Sequence, residues 1–137
     1  MSEIKTDKFT GTTTAGSIVV TGEGNSTTTN LQQGLAKHWI LLNGTGTIAV
    51  TDSFNNTSIT DNGTGDYTIT IANDMSTANF CVATGGAYDE DGTTDNNRQG
   101  PGASNKTTTA FKLTTGSNTT AADDWEAPAA QTLGDLA

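Results

Sequence analysis

The run Asp66-Tyr67-Thr68-Ile69-Thr70-Ile71 alternates polar and apolar side chains without a break, and it lies between the turn-rich Asp61-Asn62-Gly63-Thr64-Gly65 and Asn73-Asp74. Side chains on an extended chain point to opposite faces in turn, so this spacing puts Tyr67, Ile69 and Ile71 on one face and threonines on the other. Two further runs, Thr47-Ile48-Ala49-Val50-Thr51 and Asn79-Phe80-Cys81-Val82-Ala83, repeat the pattern, and Asn43-Gly44 supplies another turn. Asn, Asp and Gly tolerate the backbone conformations that tight reversals require. Short strands at close spacing with no helical segment between them indicate an all-β fold, a small antiparallel β-sandwich or meander.

Towards the N-terminus, Leu31, Leu35, His38 and Trp39 recur at helical spacing, and Asn30 is placed to cap a helix. Gly34 opposes a long helix, and Trp39-Ile40-Leu41-Leu42 suits a buried strand equally well. The expectation is a brief helix or turn running into a strand that anchors the core. Residues 1–30 read as a polar arm with one short strand at Ser17-Ile18-Val19-Val20-Thr21. Residues 31–114 read as the β-rich domain, interrupted by an acidic loop from Tyr88 to Asn105 and closed by a strand over Thr107–Thr114. Residues 115–137 read as an extended C-terminal tail whose sizeable apolar groups are Trp125, Leu133 and Leu136. An isolated tryptophan in a polar tail is a large apolar surface, so these three residues are the candidate docking segment for another protein.

Only 32% of the 137 residues are apolar, and mean hydropathy is −0.42, so the core is small for the length. The polarity comes from Thr, Asn, Ser and Gly, with charged residues at 15%. Threonine packs its branched Cβ on a pleated surface and keeps the outer face wet, which argues for thin β structure and against disorder. Thin sheets leave edges and faces that association covers, so a homo-oligomer is expected. Trp39, Ile40, Leu42, Phe54, Tyr67, Ile69, Phe80 and Phe111 are the candidate core and subunit-interface residues.

A net charge of −9 with six dispersed Lys and Arg argues against binding a nucleic-acid backbone. No window approaches the ~18 apolar residues of a membrane span, and no basic segment precedes an apolar one at the start. The single cysteine, Cys81, excludes an intrachain disulfide. The expected product is soluble and made in the cytoplasm.

Lys37 and Trp39, Gly44 to Thr47, Ser53-Phe54-Asn55, Thr60 to Gly65, Tyr67-Thr68 and Asn79-Phe80 follow one another in order between residues 37 and 82. In this order and spacing the sequence is similar to a segment of fibre-like and tail-fibre proteins of marine bacteriophages, including those of cyanobacteria. The resemblance covers about a third of the chain. It implies a non-enzymatic virion structural protein, usually a homotrimer, with other tail or capsid proteins as partners and a host surface glycan as a possible target. The chain has no shaft repeats, and its acidic loop and tail lie outside the shared segment, which keeps a capsid decoration protein as the alternative. A carbohydrate-active depolymerase is the remote one.

Cofactors are not expected. Asp89, Asp91 and Asp95 with Gly92 have the alternating oxygens of a calcium loop, but the terminal bidentate glutamate is missing, so a solvated acidic loop is the reading. His38 beside Trp39 raises the idea of a sugar-stacking pair, against that of an interface strand. Cys81 alternates with Phe80 and Val82 as a small buried strand residue would, and it lies far from His38, so catalysis is not assigned to it.

Overall fold

A computed structural model describes residues 3–12, 18–87, 98–117 and 121–137. It divides the chain into two compact units, Met1–Leu35 and Ala36–Ala137. The first holds an antiparallel ribbon of β1 (Val19–Thr21) and β2 (Thr28–Asn30). Gly22 and Thr27 close its turn by a backbone hydrogen bond of 2.9 Å. The arm therefore contains two short strands where the sequence suggested one.

The second unit is all-β. Its strands are β3 (His38–Asn43), β4 (Ala49–Phe54), β5 (Asn56–Gly63), β6 (Asp66–Ile71), β7 (Cys81–Ala87), β8 (Arg98–Ser104), β9 (Ala110–Ser117) and β10 (Ala127–Leu133). They form two four-stranded antiparallel sheets, ordered β4-β3-β10-β7 and β5-β6-β9-β8. Between the sheets pack Ile40 and Leu42 of β3, Tyr67, Ile69 and Ile71 of β6, Phe111 and Leu113 of β9, Ala130 of β10, and Met75 and Phe80 from the β6–β7 connection. The alternation read in Asp66–Ile71 is the inward face of β6. The helical spacing at Leu31–Trp39 yields a turn and then β3, since Gly34 opposes helix and Trp39 and Ile40 beyond it favour extension.

The C-terminal tail is the main correction. Residues 115–137 are not an extended arm: β9 continues to Ser117, and β10 runs up the centre of its sheet between β3 and β7. Pro128 is tolerated because the pairing with β3 begins only at Ala129, beyond it. Trp125 is buried, and its carbonyl accepts a 2.9 Å hydrogen bond from Gly44 N–H. Trp125 thus folds onto its own domain, Leu133 is half-buried at the end of β10, and Leu136 bridges to Met75.

Two corners hold the sheets in register. Asn55, with φ of 59°, carries the chain from β4 to β5. Its side-chain amide donates to Lys37 O at 2.8 Å, and its Oδ1 accepts from Asn73 N–H at 2.8 Å. At the other corner Asp124 Oδ1 accepts from Gly65 N–H and from the Tyr67 hydroxyl, both at 2.7 Å. Gly65 has φ of 64°, and a Cβ there would lie 2.3 Å from Thr115 O, so only glycine fits beneath the clasp.

Candidate functional site

The two sheets turn different outer faces to the surroundings. On β5-β6-β9-β8 the outward rows are Ser58, Thr60, Thr68, Thr70, Asp66, Lys112, Thr114 and Ser104, set side by side by the strand register. Lys112 Nζ and Asp66 Oδ2 form an ion pair across β6 and β9. Hydroxyls and one neutralised pair are what the solvent-facing side of an antiparallel sheet ordinarily presents. A groove of about 480 Å³ at one end of this sheet is lined by Thr64, Gly65, Gly102 and Thr114 among others.

The outer face of β4-β3-β10-β7 breaks that rule. Register places Phe54, Trp39, Gln131 and Ala83 in one row across the four strands, and Asp52, Leu41, Ala129 and Gly85 in the next. Phe54 is 53% exposed, and Trp39 and Leu41 are half-buried. The large apolar groups stand on β3 and β4, while β10 and β7 contribute Gln131 and otherwise small residues. Beside Trp39 the small residues leave a shallow trough of about 520 Å³, floored by Ala129 and flanked by Leu41, Ala83 and Gly85. Asp52 is the one charged residue in these two rows.

Of the eight residues expected at a core or interface, six (Ile40, Leu42, Tyr67, Ile69, Phe80 and Phe111) pack between the sheets. Trp39 and Phe54 instead pair on the outside. The sequence signal for this was available, because Trp39 alternates with His38 and Ile40 and must face away from Ile40 in any strand.

His38 is fully buried on the inner face, edge-on to Phe111 with ring centroids 5.6 Å apart. Its Nε2 lies 3.4 Å from Asn56 Oδ1, while Nδ1 and the facing Thr132 Oγ1 have no hydrogen-bond partner among the described residues. Burial pushes the imidazole pKa below its ordinary value, outweighing the Asn56 contact, which raises it. Because His38 and Trp39 point to opposite faces, they cannot form one sugar-stacking site. Cys81 is exposed at the start of β7, not buried as its alternation suggested, and lies on the face opposite to His38. The Tyr67 hydroxyl is held protonated well above its usual range, by burial first and by Asp124 second. Among the described residues no three His, Cys, Asp or Glu side chains converge as a metal site would need. Asp89, Asp91 and Asp95 lie outside the described residues.

No helix among the described residues is long and apolar enough to cross a membrane. No family model, curated protein or solved structure matches the chain.

Proposed function

We propose that the chain is a non-enzymatic structural protein of a bacteriophage particle, a fibre-like component of tail or head that works by assembling into an oligomer, a homotrimer, and aids adsorption to the host. The observation that carries the reading is the contrast between the two outer faces. A threonine-rich face is built for water, whereas a face bearing Trp39, Leu41 and Phe54 over alanine and glycine is built to be covered. The similarity over residues 37–82 adds the setting. Its words fall on β3, on the β4–β5 corner at Asn55, and on the β5–β6 hairpin, so they describe how the sandwich is built and leave catalysis unassigned.

The partners in this reading are further copies of the chain and neighbouring virion proteins. Nucleic acid does not fit a chain of net charge −9. The same charge-poor, partly apolar face would also suit a second placement, as a decoration protein clamping capsid subunits. Stoichiometry in purified particles, against the major capsid protein, separates the two. A copy number in the tens or fewer supports the fibre component, hundreds of copies support decoration, and absence from the particle defeats both.

A further inference from the structure

We infer that the outer face of the β4-β3-β10-β7 sheet docks against the same face of a second copy, with the Trp39–Phe54 ridge of one seated over the small-residue trough of the other and Phe54 facing Ala83. This rests on the self-association in the reading above, at two copies or three, and gives it a contact.

The row order carries the argument. Phe54, Trp39, Gln131 and Ala83 lie in line across successive strands, with the aromatic groups on one half and Gln131 and Ala83 on the other. A two-fold axis parallel to the strands and passing between β3 and β10 reverses the strand order while keeping each row level. It sets Phe54 over Ala83, Trp39 over Gln131, and Leu41 over Ala129. An axis across the strands would stack ridge on ridge. If three copies instead turn this face towards a three-fold axis, β4 of each lies beside β7 of the next, and Phe54 again meets Ala83. Large against small, as at Phe54–Ala83 and Leu41–Ala129, is how sheet faces interdigitate.

Charge points to the same occupant. Copies that each carry −9 repel unless they meet where charge is sparse. The two rows hold one carboxylate, Asp52, and the two-fold places it opposite Gly85 instead of another acid. A basic partner would want more carboxylates than this face has. A glycan needs several hydrogen-bonding groups around its ring, and within the trough the polar side chains are Gln131 and the inward-facing Thr84.

The test uses the full chain with Cys81→Ser, Phe54→Cys and Ala83→Cys, oxidised gently and mapped by mass spectrometry. Positions 54 and 83 lie on the outer strands of the sheet, about 14 Å apart at ordinary strand spacing. That exceeds the ~7 Å a disulfide can span, so a 54–83 link joins two copies. We expect that link, in a species of two or three chain masses. Ala83→Glu, at an exposed position, should raise the dissociation concentration at least tenfold with an unchanged far-ultraviolet spectrum. A parent oligomer that gives only 54–54 links, or none, overturns this contact and leaves the assembly reading standing. A parent that light scattering shows to be monomeric at micromolar concentration overturns self-docking, while presence in the particle is judged separately by stoichiometry. Monomers whose tryptophan fluorescence shifts with host-envelope polysaccharide would hand the face to a glycan.

Discussion

Trp39 and Phe54 stand opposite one another in the β3–β4 ladder, on the side of the sheet that points away from the core. A cross-strand aromatic pair stabilises its sheet by roughly 0.5–1.5 kcal/mol beyond area burial, and half-exposed pairs fall at the low end. Core residues behave differently. Ile69 is fully buried between Tyr67 and Ile71, and truncating such a side chain costs about 2–5 kcal/mol. In urea titrations under monomeric conditions, Phe54→Ala should lower stability by about 0.5–1 kcal/mol, and Ile69→Ala by several times as much. Equal losses would show that Phe54 belongs to the core after all.

The Asp124 clasp should be a second stability determinant. Asp124 Oδ1 accepts from Gly65 N–H and Tyr67 O–H, and both donors belong to buried residues. Leaving a buried donor unpaired costs about 1–3 kcal/mol. Tyr67 O–H keeps a long 3.3 Å contact to Gly44 O as a fallback, whereas Gly65 N–H has no second acceptor within the clasp. Asp124→Ala should therefore lower the melting temperature by more than ~4 °C in a domain of this size, and Tyr67→Phe by less. A reversed order would assign the clasp to the phenol instead of the carboxylate.

Deleting β10 tests the correction to the tail directly. A chain ending at Glu126 loses the strand between β3 and β7, and with it both ladders that join the sheet. No cooperative unfolding transition should remain. Removing Asp135-Leu136-Ala137 breaks the Met75–Leu136 bridge and its flanking backbone bonds while leaving β10 in place, so a lowered but cooperative transition is expected. A shortened chain ending at Glu126 that melted normally would restore the tail to the role of an arm.

These cases show what the residues disclosed beforehand. Strands with branched or aromatic groups on one face, such as Asp66–Ile71 and His38–Asn43, announce themselves by alternation, and so did most of the core. β10 is Ala-Pro-Ala-Ala-Gln-Thr-Leu, with inward positions filled by Pro128, Ala130 and Thr132. Its extension comes from neighbours on both sides rather than from its own propensity, and no local pattern carries that. β8 was hidden for the same reason, reading as part of the acidic loop because Gly, Pro and Ser interrupt it, and the end of β5 read as a turn because of Asp61-Asn62-Gly63. At the candidate surface, the apolar residues were legible but their side was not. Phe54 acquires its outward direction from the pairing with Trp39, and Ala83 and Ala129 matter only because register sets them in line with the aromatic pair.

His38 makes the fold sensitive to acid, and the direction follows from its surroundings. It is fully buried, faces Phe111 and Thr132, and its pKa lies below the 6.5 of a free imidazole. The unfolded chain therefore takes up a proton that the folded one refuses. The His38 contribution is fully present above about pH 6.5 and is lost as pH falls towards the folded value, at up to ~1.4 kcal/mol per pH unit. Replacing His38 by leucine removes the titration and the unpartnered Nδ1 together, so stability at pH 7.5 should change little while the decline between pH 6.5 and 5 becomes shallower. Urea midpoints for both proteins across that range measure the difference. Parallel slopes would show that His38 takes up its proton equally well in both states.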